Sequence, residues 1–502
     1  MEKLLNKFIK KKYLMVIALC IILILAAFFR FYKIRQYMTF LGDEGRDVLV
    51  VKRMIVDHKF TLLGPITSVG SIYMGPIYYY LMAPFLWAWN LDPVGPAIMV
   101  AIFAVITVAL IYITGSEFFH PAVGMFASLL YATSPLTIAY GRSSWNPNLV
   151  PFFSLLTIYS LLKVIVKKKF HWLIIVGLSI GVLIQLHYVT LILLPVVLTS
   201  LALLRFRIPT RIYIYSLLTF ITSYSPFLLF ELRHQFVNSQ AVLRFLGEQN
   251  SNTKFDFLVQ ANSLNDLSVR LFWRLLIIEN AEIAKLFIVG LIIIFFLARS
   301  RLKEEAKIYS AYKVLLVWLV VGILSFSIYR GVVYDYYFGS LFVAPFLLTG
   351  VFLYWLWSSN RFGKILSLLC LTFIIFFHFK NSPLAIEPNN MLNNTKEIST
   401  FVYNKTEDKP YNFALLAPRN SDHAYKYFLE IWGHPPIVIE NEAVDPQRKS
   451  VTEQLLVVCE EKVCQPLGHP LWEIAGFGRA EIIGQWDVVT TKVFRLNHYT
   501  GT

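Results

Sequence analysis

The sequence has little charge for its length. Only 15% of its 502 residues are charged, whereas 57% are hydrophobic, and the mean hydropathy is +0.58. A soluble domain rarely exceeds half apolar residues, and its apolar runs stay short. Two uncharged runs, YLMVIALCIILILAAFF (13–29) and YFGSLFVAPFLLTGVFLYWLW (337–357), approach the roughly 20 residues that cross a bilayer. The scarcity of charge therefore excludes a soluble protein and predicts a multi-pass membrane protein.

Cysteine is also scarce, with four residues and no spacing typical of a metal site. Cys20 and Cys370 fall inside apolar runs, where we expect them to pack without reacting. Cys459 and Cys464 lie in a polar C-terminal segment and could pair if that segment lies outside the cell.

Basic clusters between the apolar runs determine the predicted topology. They are KFIKKK (7–12), KKKFH (167–171), RFRIPTR (205–211), ARSRLKEEAK (298–307) and NRFGK (360–364). Such positive loops stay cytoplasmic, so the net charge of +15 indicates inner loops rather than a nucleic-acid partner. An even number of crossings must then separate neighbouring clusters.

The first apolar run could be a signal peptide with a basic lead. It is long for that role and no small-residue cleavage site follows it, so we interpret it as a retained span.

One of the five apolar segments between residues 12 and 167 cannot cross. The segment GPIYYYLMAPFLWAW (75–89) is the shortest, contains two prolines and is rich in the Tyr and Trp that favour the membrane interface. We predict that it lies along or dips into the outer leaflet. About eleven transmembrane helices remain: 13–30, 94–114, 121–140, 150–166, two within 171–204, two within 212–297, two within 312–357, and 364–379.

The predicted fold is an α-helical polytopic membrane protein with a small C-terminal α/β domain. Residues 1–380 form the transmembrane domain in the plasma (cytoplasmic) membrane, with a cytoplasmic N-terminus and a first outer loop over 31–93. Residues 381–502 form the extracytoplasmic domain. Its predicted strands are YNFALLA, PIVIE, EQLLVVCE and EIIGQWDVVTTKVF, and its predicted helix is DHAYKYFLEIW.

Chemistry is expected at the outer face. Neither GxxxxGK[ST] nor GxGxxG occurs, and the inner loops are at most about a dozen residues, so no room exists inside for a nucleotide domain. An activated substrate would have to arrive in the membrane itself.

The first outer loop opens with TFLGDEGRDVLV (39–50), which places Asp43 and Glu44 side by side. Asp43 could cap a helix that starts near Gly45, with Glu44 in its first turn. Alternatively, a carboxylate near the lipid surface could act as general base on an acceptor hydroxyl. Both interpretations can hold together, because a capping aspartate is also rigidly positioned.

A first span, an outer loop that opens with Asp43 and Glu44, and GPIYYYL (75–81) before the second span together resemble the GT-C class of membrane glycosyltransferases. The closer resemblance is to the dolichyl-phosphate-mannose protein mannosyltransferase-like branch, with its bacterial Rgt-type and aminoarabinose-transferase relatives. It covers about residues 10–240. Those enzymes move a sugar from a polyprenyl-phosphate carrier to an acceptor at the outer face, usually with inversion. The resemblance implies a hexosyl- or pentosyltransferase here.

By this resemblance Asp43 is the catalytic base, and Glu44 supports it or shares the role. The leaving lipid phosphate needs positive charge, and the guanidinium fork matches phosphate oxygens. The donor-binding candidates are Arg46, Arg142, His187, Arg233, His234 and Arg330. The residues expected to bind or orient the acceptor are Tyr78, Asn146, Asn148 and Tyr334. Interface anchoring, solvated charge or a hydrogen-bonded turn are the alternative roles for these residues.

No cofactor is expected, and a divalent metal is disfavoured although it stays compatible with the sequence. Some relatives carry a second carboxylate in the next outer loop, and some use a metal. Here WNPN offers Asn146 and Asn148 instead, and no DxD motif occurs in the first outer loop. Asparagine is a weak ligand for divalent metals.

The main alternative is a secondary transporter or a flippase of a lipid-linked or small polar substrate. It predicts inverted repeats, broken helices and ionisable residues at the bilayer midplane, whereas the ionisable residues here gather at span ends. A scaffold or receptor would leave the polar outer turns without a purpose. We therefore favour the transferase, with a polyprenyl-phosphate-linked sugar as donor and a glycan, lipid or protein as acceptor. Several donor sugars and all three kinds of acceptor are compatible with the sequence.

Overall fold

The computed structural model describes residues 2–67, 72–203, 206–250, 257–277, 280–327, 329 and 332–501. The chain divides into two compact units. Unit 1 comprises Met1–Tyr32, Phe60–Met82 and Pro96–Glu387, and unit 2 comprises Lys33–Lys59, Ala83–Gly95 and Pro388–Thr502. The segment predicted as the first outer loop, 31–93, thus contributes to both units.

The α-helices of the described residues, in chain order, are α1 (Glu2–Phe31), α2 (Ile34–Tyr37), α3 (Gly42–Val56), α4 (Ile77–Ala88), α5 (Val94–Phe118), α6 (Pro121–Thr133), α7 (Pro135–Tyr140), α8 (Val150–Lys167), α9 (Trp172–Leu186), α10 (Leu193–Ala202), α11 (Thr210–Arg233), α12 (Val237–Asn250), α13 (Phe257–Leu276), α14 (Ala281–Glu304), α15 (Ala306–Ser327), α16 (Val343–Ser359), α17 (Arg361–Lys380), α18 (Met391–Lys405), α19 (His423–Ile431) and α20 (Trp472–Ala475). Short 3-10 helices lie at Asn146–Leu149, Tyr188–Ile192, Asp335–Ser340 and Pro383–Ala385. The strands are β1 (Asn412–Leu416), β2 (Gln454–Cys459), β3 (Ala480–Val488) and β4 (Thr491–His498).

Each of the eleven predicted spans is helical, which confirms the predicted fold class. Within the described residues, six stretches are long and apolar enough to cross a membrane: Tyr13–Phe31, Val94–Phe118, Asn146–Lys167, Thr210–Arg233, Ala306–Phe326 and Arg361–Lys380. The apolar helices Pro121–Thr133, Trp172–Leu186, Tyr188–Ala202 and Val343–Ser359 are shorter. The segment predicted not to cross contains α4, whose 12 residues extend only about 18 Å.

One predicted span is divided into two helices. The segment 121–140 forms α6 and α7, separated at Ser134. Pro135 follows the break, has no backbone N–H to donate and disfavours helical backbone in the residue before it. The span predicted over 121–140 is therefore helical but consists of two helices rather than one.

Helices α12 and α13 lie between two predicted spans, where no helix was expected. Helix α13 buries a stripe of apolar side chains that includes Leu267, Leu271 and Leu275. This spacing of four residues aligns them on one helix face, which packs inside unit 1. Its polar and charged residues include Asn262, Asn265 and Asp266, which are exposed.

Unit 2 is built around a four-stranded sheet with the order β1-β2-β4-β3. Strand β1 pairs with β2 in parallel, and β4 pairs antiparallel with both β2 and β3. Both faces of the sheet are covered: Phe413 and Leu456 belong to one hydrophobic cluster, and Ala414 and Val457 belong to the other. This confirms the small α/β domain predicted for the C-terminal segment.

The secondary structure predicted for that segment needs two corrections. PIVIE (436–440) is not a strand but an irregular segment, of which Ile439 packs into a sheet cluster. EIIGQWDVVTTKVF forms two strands joined by a tight turn rather than one. Short apolar runs do not by themselves distinguish a strand from a buried loop.

Candidate functional site

The first turn of α3, in unit 2, carries the two acids that the sequence singled out. The helix begins at Gly42, so Asp43 lies inside the first turn and is not its cap. The capping position is Leu41, whose side chain offers no hydrogen-bond acceptor. Glu44 instead turns back and accepts a hydrogen bond from the Leu41 N–H at 3.0 Å. Acidic side chains are stabilised at this end of a helix by its dipole.

The two neighbouring acids have different environments. The side chain of Asp43 is 55% exposed, whereas Glu44 is only 6% exposed. Burial is the main reason that the pKa of Glu44 is raised from 4.5 to about 7, and the charges of Asp43 and Asp47 raise it further. One accessible carboxyl and one buried carboxyl with a near-neutral pKa are thus adjacent in the chain.

Arg46 connects these acids to a third one. Its Nη1 donates to Asp43 Oδ1 at 3.0 Å, while Nε and Nη2 donate to Asp47 Oδ1 at 3.0 and 2.9 Å. Asp47 is fully buried. Arg46 therefore bridges a buried acid and the exposed Asp43, and so orients the Asp43 carboxyl.

Helix α3 is held tightly against the start of α19, within unit 2. A Cβ placed on Gly45 would lie 2.3 Å from the Ala424 backbone nitrogen. At the other end of α3, Arg53 Nη2 donates to Glu430 Oε2 at 2.7 Å. The backbone of the acid-bearing helix is thus anchored on the sheet domain.

The segment 142–148, in unit 1, contains three predicted site residues. Arg142 is buried and donates to the carbonyls of Phe29 and Tyr32, each at 2.6 Å, where α1 ends. These bonds satisfy carbonyl groups that a helix end leaves without intrahelical partners. Asn146 Nδ2 donates to Leu186 O at 2.5 Å, and Asn148 Nδ2 donates to Ser143 O at 2.8 Å.

Tyr78 is fully buried and lies near the same segment. Its hydroxyl forms a hydrogen bond of 2.8 Å with Ser144 Oγ. This hydrogen bond connects Tyr78 to the 142–148 segment inside unit 1. Anchoring at the membrane interface was the alternative role for this residue.

His187 and Tyr334 are brought together around an aromatic turn in unit 1. Both rings lie near Tyr337: its ring centroid is 5.1 Å from that of His187 and 5.7 Å from that of Tyr334. His187 Nδ1 accepts from the Val189 N–H at 3.2 Å, so this nitrogen carries no proton in the observed arrangement. Trp145 packs edge to face on Tyr336, with ring centroids 4.5 Å apart.

Arg233 and His234 lie at the C-terminal end of α11 and are exposed. His234 stacks on Phe230 with ring centroids 4.1 Å apart. The preceding Glu231 is buried and accepts from the N–H groups of Asn238 and Ser239, at 3.1 and 2.7 Å, near the start of α12. Arg330 lies outside the described residues.

Two arginines that were not among the predicted site residues contact the aromatic turn. Arg274 Nε donates to Asp335 Oδ2 at 2.7 Å, and the Arg270 guanidinium lies 5.1 Å from the centre of the Phe338 ring. Both arginines come from α13, four residues apart on one face. Two arginines at this spacing in the amphipathic helix α13 were the available signal. We call residues 334–338 with Trp145, His187, Arg270 and Arg274 the aromatic–arginine cluster.

An apolar cavity of about 470 Å³ also lies in unit 1. Its lining comes mainly from α13, α14, α15 and α16, and includes Phe272, Ile292, Tyr312, Leu316, Phe352 and Trp355. Helix α13 contributes Ser268 and Phe272 to the cavity, while its Arg270 and Arg274 belong to the aromatic–arginine cluster.

The acid-bearing helix and the aromatic–arginine cluster belong to different units. Among the predicted donor-binding residues, Arg46 lies beside Asp43 on α3. His187 and Tyr334 belong to the aromatic–arginine cluster, with Arg270 and Arg274. Among the described residues, no group of three or more His, Cys, Asp or Glu side chains could hold a metal ion. Metal independence stays a prediction.

Comparison with known proteins gives one family match in sequence and several matches in fold. Residues 74–230, less than a third of the chain, match the family model of dolichyl-phosphate-mannose-protein mannosyltransferase. No curated protein matches the sequence. The matched segment contains GPIYYYL and the 142–148 segment.

Solved structures match almost the whole chain. ArnT from Cupriavidus metallidurans bound to undecaprenyl phosphate has a TM-score of 0.62 at 12% identity, over 96% of this chain and 97% of that one. The apo ArnT structure has a TM-score of 0.59 at 12% identity, over 97% of this chain and 98% of that one. The apo Archaeoglobus fulgidus oligosaccharyltransferase has a TM-score of 0.51 at 12% identity, over 96% of this chain and 76% of that one.

This chain has a GT-C fold. The resemblance predicted from Asp43, Glu44 and GPIYYYL is thereby confirmed, and at 12% identity the structural likeness concerns the fold.

Proposed function

We propose that this protein is an integral-membrane glycosyltransferase that moves a sugar from a polyprenyl-phosphate carrier to an acceptor hydroxyl at the outer membrane face. The observation that carries the proposal is the pair of unlike acids at the start of α3, in a chain with the GT-C fold. Adjacent titratable groups with divergent environments are typical of acid–base sites.

Asp43 is the proposed general base. Its side chain is accessible to an acceptor, and the hydrogen bond from Arg46 orients it. As the acceptor oxygen attacks the anomeric carbon, its proton passes to Asp43 and the bond from that carbon to the phosphate oxygen breaks. The lipid phosphate leaves with the bonding electrons, and a single displacement inverts the anomeric centre. Glu44 supports Asp43 by fixing the turn through Leu41.

Unit 1 offers contacts suited to the donor. A polyprenyl chain is apolar, and the cavity lined by α13–α16 is apolar; α14, α15 and α16 correspond to predicted spans. Arg270 and Arg274 lie on the same helix as part of the cavity lining. We propose that they, with His187 and Arg330, meet the charge that develops on the leaving phosphate. The aromatic side chains of the turn, Tyr334 among them, suit stacking against a sugar. ArnT has been crystallised with undecaprenyl phosphate, a lipid of this class.

The predicted orientation is part of this proposal. The N-terminus is cytoplasmic and residues 381–502 are extracytoplasmic in the plasma membrane, as the positive loops favour. The disulfide between Cys459 and Cys464 supports an oxidising compartment for that domain. The acceptor could be a glycan, a lipid or a protein.

The test is turnover of radiolabelled undecaprenyl-phosphate hexoses and pentoses in native membranes, which contain the acceptor. We expect Asp43→Asn to lower turnover by about 100-fold or more, because general bases contribute about that much. Asp57→Asn, at the other end of α3, is the matched control and should keep wild-type turnover.

Wild-type turnover in Asp43→Asn would refute the assigned base. Movement of lipid-linked sugar across the membrane without transfer would favour the flippase alternative.

A further inference from the structure

The first turn of α3 receives its hydrogen-bond acceptor from a distant part of unit 2. A helix begins with N–H groups that lack intrahelical partners, and the Leu41 side chain has no acceptor for them. Asn420 Oδ1 accepts from the Gly42 N–H at 2.9 Å, across 378 residues of sequence. Asn420 thus supplies the cap that the local sequence lacks, one residue before Asp43.

The orientation of the Asn420 amide is determined by Glu460. Asn420 Nδ2 donates to both carboxylate oxygens of Glu460, at 3.0 and 3.1 Å, and this leaves Oδ1 directed at the N–H groups of Gly42 and Ser421. A rotated amide would place its NH2 group against two N–H donors and its oxygen against a carboxylate.

Glu460 is itself held in place. The buried Tyr425 donates its hydroxyl to Glu460 Oε1 at 2.6 Å, and the Glu460 N–H donates to Leu416 O at 2.8 Å. The disulfide between Cys459 and Cys464 closes the turn that carries Glu460, directly after β2. A rigid end of the sheet is therefore connected by two side chains to the acid-bearing turn.

The fit at Gly42 is close. A Cβ on Gly42 would lie 1.9 Å from Ser421 Oγ, so the start of α3 lies directly against the residue after Asn420. A shift of the Asn420 side chain must therefore be transmitted to the Gly42 backbone.

We propose that Asn420 and Glu460 are positioning residues, which set the first turn of α3 and thereby the direction of the Asp43 carboxyl. The effect on catalysis rests on the proposed function, whereas the effect on the turn does not. A misplacement of about 1 Å in a reacting group can cost about 100-fold in rate.

The sharpest variant is Asn420→Asp. It keeps the shape and the acceptor for Gly42 but sets two carboxylates against each other. We expect kcat to fall by about 10- to 100-fold with an unchanged KM for the lipid donor. The ratio of variant to wild-type kcat should rise as pH falls, because one of the two facing carboxylates then takes up a proton and can donate.

The double variant Asn420→Asp with Glu460→Gln reverses the donor and the acceptor of this bond. The glutamine amide can donate to the aspartate and still accept from Tyr425, so we expect kcat to return to within about 3-fold of wild type. Asn441→Asp is the matched control, because its Oδ1 accepts from the N–H groups of Ala443 and Val444 in an exposed turn and an aspartate can do the same. It should keep wild-type kcat.

Amide hydrogen exchange of residues 41–46 in the full-length protein gives a readout that does not depend on activity. We expect faster exchange in Asn420→Asp and in Asn420→Ala, and wild-type exchange in the double variant. Asn420→Ala adds no charge, so it carries the test if the aspartate variant does not accumulate.

Unchanged exchange in both single variants, or a double variant no better than Asn420→Asp, would overturn the proposal. If the wild type turns over no lipid-linked sugar, the proposed function fails while the exchange experiment still decides the positioning role.

Discussion

Adjacent residues of one type can have different chemistry when the backbone turns one of them inward. Asp43 and Glu44 are consecutive acids at the start of α3, yet Glu44 is buried and bonded to Leu41 whereas Asp43 is mostly exposed and held by Arg46. Successive helix positions point about 100° apart, so only one of the two can face the packed side of unit 2. The exposed member is the one that we propose as the base for an incoming hydroxyl, and the buried one bonds to the start of the turn at Leu41.

Burial of Glu44 has a consequence for stability. Its pKa is raised from 4.5 to about 7 in the folded chain, so the folded state retains a proton that the unfolded state loses between these values. The stabilisation that this proton gives the folded state is on the order of 3 kcal/mol. It is fully present below pH 4.5 and is lost as pH rises to about 7. We expect the thermal midpoint of unit 2 to fall over this range in the wild type.

Glu44→Gln should remove most of this pH dependence, because a glutamine stays neutral throughout. Differential scanning calorimetry in detergent at several pH values measures the slope of the thermal midpoint against pH. Asp57→Asn is the control and should retain the wild-type slope. An identical slope in Glu44→Gln would assign the pH dependence to other groups.

At the scale of elements, α3 owes its placement to glycine. Glycine in a helix interior costs about 0.5–1 kcal/mol relative to alanine. Gly45 nevertheless lies where α3 meets the backbone of α19, and a Cβ there would lie 2.3 Å from Ala424 N and 2.4 Å from its Cα. Close approach of two backbones therefore outweighs helix propensity at this position.

Gly45→Ala should consequently destabilise unit 2 by about 1–3 kcal/mol, as overpacked sites do. Gly247, in α12, is the matched position, since a Cβ placed on it would have no neighbouring atom within 4 Å. Gly247→Ala should be neutral or slightly stabilising. Thermal unfolding of the two variants side by side tests this, and equal midpoints would contradict the proposed docking of α3.

For the whole molecule, orientation depends on charge between the spans. The five basic clusters lie near the ends of helices that correspond to predicted spans, or in the segments that connect these helices. An odd number of crossings puts the two ends of the spanning region on opposite sides of the membrane, which places the sheet domain outside if the N-terminus is inside.

Cysteine labelling tests this orientation. Glu442→Cys introduces a thiol at an exposed position of unit 2. We expect a membrane-impermeant maleimide to label it in intact cells, because the proposed topology places this domain outside the membrane. A cysteine in the basic loop, Lys168→Cys, is the matched exposed control and should react only after the membrane is permeabilised. The reverse pattern would invert the topology.

The spans and the strands were predictable because their signals are local. Hydropathy identified the eleven apolar segments, and runs of apolar β-formers identified β1 and β2. Arg270 and Arg274 were missed because α13 is amphipathic and too polar to be recognised as a span. PIVIE was misassigned because a buried loop and a short strand can share the same composition.

The sequence by itself determined the class of fold and the place of the acid pair along the chain, since each follows from hydrophobicity, charge and order along the chain. Only the tertiary structure decided what the polar side chains do there. Arg142 binds the end of α1, Arg274 binds Asp335, and Asn420 caps the helix that carries Asp43. A hydrogen bond depends on distance and direction in space, and for Asn420 and Gly42 that pairing spans 378 residues of chain.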